Sequence, residues 1–186
     1  MKFTELKLKG LFLIEPQVFD DDRGFFMETY NKKVFEDNGI DIDFIQDNHS
    51  QSTKAVLRGL HFQKPPFAQD KLIRVTHGEV LDVAVDIRPD SPTFGQWETA
   101  HLSAENKKMF LIPKGFAHGF YVLSEKVDFL YKCSNFYNKE SEAGIIWNDP
   151  DLNISWYTQN DVVLSEKDKQ WPSFSQIKEE LKELKW

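Results

Sequence analysis

Alternation of apolar and polar residues with a period of two constrains the fold of this 186-residue chain more than any other feature. It is cleanest in the stretch EVLDVAVDIR, residues 79–88. Successive side chains of a strand point to opposite faces of its sheet. The pattern therefore predicts a strand with two distinct faces, of which Leu81, Val83, Val85 and Ile87 form one and Val80, Asp82, Ala84 and Asp86 form the other.

Turn-forming stretches interrupt the other apolar runs, and these stretches read THGE, RPDSPTFG, SAENKK and IPKGF. Short strands separated by frequent turns are typical of an antiparallel sandwich or barrel. Several strands carry chemically active side chains on both faces, which favours a barrel with an interior site. The predicted fold class is therefore mainly β, an antiparallel jelly-roll barrel. With no linker or repeat in the sequence, we expect one domain over residues 1–186.

Two helices are expected to flank the barrel. In NKKVFEDNGI, Asn31 has the position of an N-cap and Gly39 that of the residue after the C-terminal end. In the tail, Ser173 and Gln176 have the spacing of a capping box. The apolar stripe of that segment consists of Ile177, Leu181 and Leu184. The sequence thus predicts a short flanking helix and a C-terminal helix.

Charge and cysteine content argue against several classes of protein. The net charge of -7 and the isoelectric point near 5.3 disfavour general binding to nucleic acid or to an anionic membrane. An anionic ligand would therefore need a local cluster of basic residues. The single cysteine, Cys133, cannot form an intramolecular disulfide, and no apolar stretch approaches the roughly 20 residues that span a bilayer. We expect a cytoplasmic protein that binds neither nucleic acid nor membrane.

His61 lies in the probable strand RGLHFQ and has three possible roles: core residue, metal ligand or catalytic base. Taken alone, a histidine between Leu60 and Phe62 is more often a hydrogen-bonded core residue. Strict alternation would place Arg58 and His61 on opposite faces. Gly59 permits another arrangement, because a glycine inside a strand often marks a bulge that redirects side chains.

A partial metal-binding signature narrows these alternatives. Residues 113–118 have the pattern P-x-G-x-x-H, the second half of the signature of cupin barrels, which ends here at His118. In the first half, Gln63 stands where a second histidine is needed, and Lys71, six intervening residues before Gly78, stands where a glutamate is needed. An ammonium group repels a divalent cation, and an amide is a poor replacement for imidazole. We therefore expect a cupin-type barrel with no metal and no cofactor, and Lys71 facing an anion.

Tyr131 lies in a third stretch of interest, VDFLYKCSNFY, where it alternates with Phe129 and Cys133. A strand tyrosine is usually a packing residue with one hydrogen bond. An interior tyrosine opposite a histidine has another use, because a phenol with an ordinary pKa of about 10 is a competent acid toward a carbanion or enolate.

Seven stretches together resemble one enzyme family, the dTDP-4-dehydrorhamnose 3,5-epimerases, from near Gly10 to about Pro172. These stretches are DDRGFFMETY, IQDNHSQS, LRGLHFQKPPFAQDKLIRVTHGEVLDVAVDIR, SPTFGQW, IPKGFAHGF, YKCSNFY and WNDPDLNISW. The C-terminal helix lies outside the resemblance. Two departures are conservative: Phe62 stands where the family often has tyrosine, and Phe67 where a histidine is frequent.

The resemblance implies a catalytic set. It makes His61 the general base and Tyr131 the general acid, and it matches Asp168, in LSEKDKQWP, to the aspartate that orients the base. Asp82 remains a rival for that orienting role. Lys71 matches a residue beside the keto oxygen of the sugar, where it would stabilise an enolate.

The resemblance also implies substrate contacts and a homodimer. The implied contacts are Lys71 and His118 around the keto oxygen, Arg23 and Arg58 at the phosphates, Glu28, Gln46 and Asn48 on the thymidine side, and Glu142 and Lys167 elsewhere on the substrate. Tyr137 either stacks on the base or sugar or serves in packing. In this family the N-terminal part reaches into a partner subunit, so Arg23 and Glu28 are expected to serve the neighbouring site.

The implied activity is the cofactor-independent epimerisation of dTDP-4-keto-6-deoxy-D-glucose at C3 and C5, an isomerase reaction. Both C–H bonds lie alpha to the carbonyl, so a base near neutrality can remove the proton, and inversion needs a second group on the opposite face. Three alternatives stay open: an epimerase that inverts C3 alone, a non-catalytic sugar-nucleotide-binding protein, and a metal-dependent cupin enzyme.

Overall fold

The computed structural model describes residues 1–158 and 162–186, and these residues are mainly β. The strands are β1 (Lys2–Glu5), β2 (Phe12–Glu15), β3 (Val18–Asp21), β4 (Gly24–Met27), β5 (Gln46–Thr53), β6 (Leu57–Gln63), β7 (Lys71–His77), β8 (Glu79–Asp86), β9 (Trp97–Ser103), β10 (Met109–Ile112), β11 (Phe116–Val122), β12 (Lys126–Cys133) and β13 (Glu142–Gly144). The helices are α1 (Lys32–Asp37) and α2 (Phe174–Glu183). No helix in this described part of the chain combines the length and apolar character needed to cross a bilayer.

Two antiparallel sheets form the body of the barrel. One has the strand order β1-β2-β10-β7-β12-β5 and the other β13-β6-β11-β8-β9, while β3 and β4 form a separate hairpin. A buried apolar cluster lies between the sheets, with Ile73 and Phe129 from the first and Ala84 and Phe120 from the second. The predicted antiparallel jelly-roll barrel is confirmed.

Strand β8 has the two faces that its alternation predicts. Val80 and Ala84 belong to the cluster between the sheets. The apolar side chains of the other face join a second cluster beneath α2, and these are Leu81, Val83, Val85 and Ile87. Asp82 and Asp86 are fully buried polar exceptions on the inner face, so each must find hydrogen-bond partners inside the protein.

Both helices form where capping predicts them. The Asn31 side chain accepts a hydrogen bond from the Val34 N–H at the start of α1, and Gly39, at φ +80°, follows its C-cap. Ser173 and Gln176 form a complete capping box at the start of α2. The apolar stripe of α2 packs on the outer face of the five-stranded sheet through Ile177, Leu181 and Leu184.

A bulge at Gly59 sets which face of β6 carries the functional side chains. His61 pairs with His118 and Arg58 with Phe120, so three steps on β6 match two on β11. Gly59 has φ +134°, and a Cβ there would lie 2.5 Å from the Gly119 Cα. Because the bulge adds one residue to β6, Arg58 and His61 lie on the same face of the strand although they are three positions apart. Both therefore face the opposite sheet.

Candidate active site

A cavity of about 380 Å³ opens between the two sheets. Seven of the predicted site residues line it: Gln46, Asn48, His61, Lys71, Tyr131, Tyr137 and Glu142. They come from β5, β6, β7, β12, β13 and the loop after β12, because the inward faces of the two sheets meet here. The other predicted site residues are not among those that line the cavity, and these are Arg23, Glu28, Arg58, His118, Lys167 and Asp168.

His61 and Asp168 form a hydrogen-bonded pair at the wall of the cavity. His61 Nε2 lies 2.5 Å from Asp168 Oδ1, and the Asp168 side chain is only 4% exposed. Burial opposes charge on this carboxyl, but hydrogen bonds with His61, Ser165 and Trp171 outweigh it and hold the pKa of Asp168 below its ordinary value. A charged carboxylate therefore faces the imidazole at neutral pH and fixes its orientation.

Asp82, the rival partner, contacts a different histidine. Asp82 Oδ1 lies 2.9 Å from His118 Nε2, and both side chains are buried. Burial raises the pKa of Asp82 and lowers that of His118. His118 is not among the residues that line the cavity; it pairs in register with His61 and stacks on Phe129. The geometry thus favours Asp168 as the residue that orients His61.

Tyr131 faces His61 across the cavity from the opposite sheet. Burial raises the pKa of Tyr131, with a further upward effect of Cys133 and a downward effect of Arg58. The phenol therefore keeps its proton at neutral pH and is available as a donor. Because Tyr131 and His61 lie on opposite sheets, a ligand bound between the sheets would have the phenol on one side and the imidazole on the other.

Lys71 places its amino group inside the cavity. Burial lowers the pKa of the Lys71 ammonium, and the nearby acidic groups Cys133, Asp82 and Glu142 oppose that effect. An ammonium held away from bulk water interacts strongly with a developing negative charge.

The cavity mouth is closed on one side by hydrogen bonds to Glu142. Tyr137 Oη donates to Glu142 Oε2 at 2.9 Å, and Lys167 Nζ donates to Glu142 Oε1 at 2.6 Å. Burial disfavours charge on Glu142, but these two donors hold its pKa below the ordinary value. Gln46 Oε1 accepts from the Tyr137 N–H at 3.3 Å, and Gln46 Nε2 donates to Asn48.

The three remaining predicted contacts lie away from the cavity lining. Arg58 Nε donates to Ser52 Oγ at 3.1 Å, and its charge acts on Tyr131 from that position. Arg23 is 90% exposed on the β3–β4 hairpin, where it pairs with Asp21. Glu28 accepts a hydrogen bond from Asn31. The structure does not bring Arg23 and Glu28 to the cavity of their own chain.

Sequence reasoning missed the role of Gln63. Its Nε2 donates to the carbonyls of Phe67 and Phe136, and its Oε1 accepts from the Asn138 N–H. The side chain thereby joins two loops at the cavity mouth. The sequence could have indicated this role, because Gln63 follows His61 by two positions and alternate residues of a strand share a face.

Cys133 is another lining residue that was not predicted to belong to the site. Its thiol accepts a long hydrogen bond from Asn48 Nδ2 at 3.7 Å, and burial raises its pKa. The sequence could have indicated this position, because Cys133 follows Tyr131 by two positions on β12 and so shares its face.

Across residues 1–158 and 162–186, no three histidine, cysteine, aspartate or glutamate side chains gather in a group fit to hold a metal ion.

The sequence profile described as dTDP-4-dehydrorhamnose 3,5-epimerase matches residues 5–176 of this chain. The chain belongs to this family. The dTDP-4-dehydrorhamnose 3,5-epimerase of Shigella flexneri is 56% identical to it over 169 residues, which are 90% of this chain and 93% of that one. The predicted family and the isomerase class are confirmed.

Solved structures of dTDP-sugar epimerases superpose on nearly all of the chain. The 3,5-epimerase of Legionella pneumophila, solved in complex with dTDP-4-keto-L-rhamnose, is 50% identical, has a TM-score of 0.93, and covers 97% of this chain and 96% of its own. A 3'-monoepimerase from Streptomyces bikiniensis, solved in complex with dTDP-quinovose, is 30% identical with a TM-score of 0.89. It covers 96% of this chain and 90% of its own.

Proposed function

We propose that this chain converts dTDP-4-keto-6-deoxy-D-glucose to dTDP-4-keto-L-rhamnose by inverting C3 and C5, without a cofactor. One observation carries the mechanism: His61, which is hydrogen-bonded to Asp168, and Tyr131 lie on opposing sheets around one cavity. Family membership and the complex of the Legionella pneumophila relative support the choice of substrate. We also propose that residues 1–186 form one domain.

His61 is the general base in this proposal. Its Nε2 is engaged by Asp168, so Nδ1 is the ring nitrogen left to accept the proton from C3 or C5. The buried Asp168 carboxylate stabilises the imidazolium that results. Positioned general bases of this kind contribute about 10²–10⁴-fold to the rate.

Lys71 stabilises the negative oxygen of the enolate that forms when the proton leaves. Its ammonium reaches the same cavity as His61 and has few water molecules to compete with, because it is largely enclosed. Losing a donor aimed at a developing oxyanion typically costs about 3–4 kcal/mol of barrier. The buried His118–Asp82 pair lies outside the cavity lining, and we assign it to the support of Lys71, on which the charge of Asp82 acts.

Tyr131 returns a proton to the opposite face of the enolate. Inversion requires that the incoming proton arrive from the side away from His61, and Tyr131 lies on the opposite sheet with its phenol protonated. After one inversion the protonated His61 releases its proton to solvent, and the Tyr131 phenolate takes up a proton from solvent. The same pair then serves the second carbon.

In this proposal the polar side chains at the opening of the cavity bind the nucleotide part of the substrate. We assign the thymidine side to Gln46 and Asn48, and further substrate contacts to Tyr137, Glu142 and Lys167. Arg58 is assigned to a phosphate, because charge-assisted hydrogen bonds from a guanidinium suit a diphosphate.

A homodimer completes the proposed site. Arg23 and Glu28 do not reach the cavity of their own chain, and their hairpin exposes Phe19, Phe25 and Phe26. These features suit a hairpin that supplies Arg23 to the phosphates and Glu28 to the thymidine side in a neighbouring subunit. We also propose a cytoplasmic location, in which Cys133 stays a free thiol.

Proton NMR of the substrate incubated with the protein in deuterated water tests the proposal. Deuterium at both C3 and C5, with the L-lyxo product, is the expected result. Deuterium at C3 alone would instead identify a single-centre epimerase, the activity of the Streptomyces bikiniensis relative. Binding without exchange would identify a sugar-nucleotide-binding protein and refute the role of His61.

A further inference from the structure

Trp171 contacts both members of the His61–Asp168 pair. Its indole Nε1 donates to Asp168 Oδ1 at 3.1 Å, and this is the same oxygen that lies 2.5 Å from His61 Nε2. Its ring also meets the imidazole edge-on, with centroids 6.0 Å apart and planes at 67°. One carboxylate oxygen is therefore shared between the indole and the base.

The indole is held in this position by the strand next to His61. A Cβ at Gly144 would lie 2.6 Å from the Trp171 ring carbons, so the ring packs directly on the Gly144 backbone. Gly144 is the register partner of His61 on the neighbouring strand. Beyond the ring, the Ile146 N–H donates to the Pro172 carbonyl at 2.9 Å and anchors the chain.

We propose that Trp171 is a positioning residue for the reaction, which fixes the Asp168 carboxylate against His61 and limits how strongly that carboxylate stabilises the protonated base. This inference rests on the proposed role of His61. An N–H donated to a carboxylate stabilises its charged form. Burial raises the pKa of Asp168, whereas His61, Ser165 and, to a smaller extent, Trp171 lower it.

Because Asp168 Oδ1 contacts both Trp171 and His61, loss of the indole N–H should change the pH dependence of activity in a definite direction. Without the indole N–H, the negative charge of Asp168 acts on His61 alone, so the imidazolium form gains stability. His61 is then protonated, and inactive as a base, at a higher pH. The acid-side limb of the pH–activity profile should therefore move upward.

Other titratable groups also face the pair, and the substitution of Trp171 leaves their side chains unaltered. They are His118 on β11, Glu142 on β13, Lys71 on β7, Tyr131 on β12 and Lys167 on the adjoining turn. Lys167 Nζ lies 5.9 Å from the centre of the Trp171 ring. Phenylalanine at position 171 retains an aromatic ring for this contact, so it changes the N–H with little disturbance of the charges.

Trp171→Phe tests the inference, with Trp97→Phe as the matched control. Trp97 Nε1 also donates one hydrogen bond, at 2.8 Å to the Leu152 carbonyl, outside the cavity lining. We expect Trp171→Phe to lower kcat about tenfold and to raise the acid-side midpoint of kcat/KM by about half a pH unit. Affinity for dTDP, measured by calorimetry, should stay unchanged, and Trp97→Phe should keep the wild-type midpoint.

A double-mutant cycle with Asp168→Asn separates positioning from packing. If Trp171 acts through Asp168, Trp171→Phe should cost almost nothing further in the Asp168→Asn background, measured by deuterium exchange. An unmoved acid limb, or costs that add in full, would overturn the inference. Trp171→Tyr repeats the test if the phenylalanine variant does not fold. Absence of exchange by the wild-type protein would refute the proposed function instead.

Discussion

Asp168 Oδ1 lies 2.5 Å from His61 Nε2, although the two residues are 107 positions apart in the chain. His61 comes from a strand of the barrel, whereas Asp168 comes from the turn that precedes the C-terminal helix. The proposed base and the residue proposed to orient it therefore belong to separate parts of the fold. In the proposed mechanism, this contact makes the C-terminal segment part of the catalytic arrangement.

Asp168→Asn should lower kcat by about 10²–10⁴-fold, because a neutral amide neither stabilises the imidazolium nor selects the productive tautomer. Calorimetric affinity for dTDP should be unchanged, since Asp168 lies behind His61 rather than in the nucleotide-binding mouth. Asp82→Asn is the comparison. A larger loss of kcat from Asp82→Asn than from Asp168→Asn would contradict the assignment of the orienting residue.

Tyr131→Phe should separate proton removal from inversion. His61 still abstracts the proton, and the only competent donor left is His61 itself, which returns deuterium to the same face. We expect exchange into recovered substrate in deuterated water, while product formation falls about 10²–10⁴-fold. Tyr137→Phe, which removes a hydrogen bond to Glu142 at the mouth, should retain inversion. Wild-type inversion by Tyr131→Phe would exclude Tyr131 as the acid.

Lys71→Met should lower kcat by about 10²–10³-fold, since the enolate oxygen loses its positive partner in an enclosed cavity. Lys167→Met removes a charge from the rim, so steady-state kinetics should show a change chiefly in KM. Equal effects of both variants on kcat would mean that Lys71 acts only through the overall charge of the site.

Gly59→Ala should destabilise the fold by about 3 kcal/mol, because φ is +134° and the new methyl group would meet the Gly119 backbone at 2.5 Å. Gly24 offers a control with a similar φ of +127° but open space around its Cβ position. Gly24→Ala should cost about 1 kcal/mol, from backbone strain alone. Urea unfolding compares the two variants, and equal losses would show that the close approach of β6 to β11 is unimportant.

Asp86→Asn should destabilise the protein by about 2 kcal/mol near neutral pH. Burial opposes charge on Asp86, but hydrogen bonds from Arg88, Ser91 and Thr93 outweigh it and lower its pKa. A lowered pKa contributes stability above the unfolded-state value near 3.8, and this stability is lost as pH falls through the folded value. The gap between wild type and variant should therefore narrow below about pH 4. Urea unfolding at several pH values measures it, and a constant gap would contradict this origin.

Local pattern predicted much of this molecule correctly. The alternation of residues 79–88 predicted which side chains of β8 face each cluster, because a strand side chain has only two directions available. Asn31 and the Ser173–Gln176 pair predicted both helix starts, because capping is a short-range hydrogen bond. Gly59 indicated that a bulge was permitted, since glycine adopts backbone conformations that other residues rarely adopt.

The partners of each polar side chain were decided by the tertiary structure. Asp82 and Asp168 were both candidates for His61, and only the packing of the two sheets and the C-terminal turn assigned Asp82 to His118 and Asp168 to His61. Trp171 carried no local signal for its contact with this pair. A sequence determines the directions of side chains through local geometry, whereas contacts over a hundred residues depend on how whole elements pack.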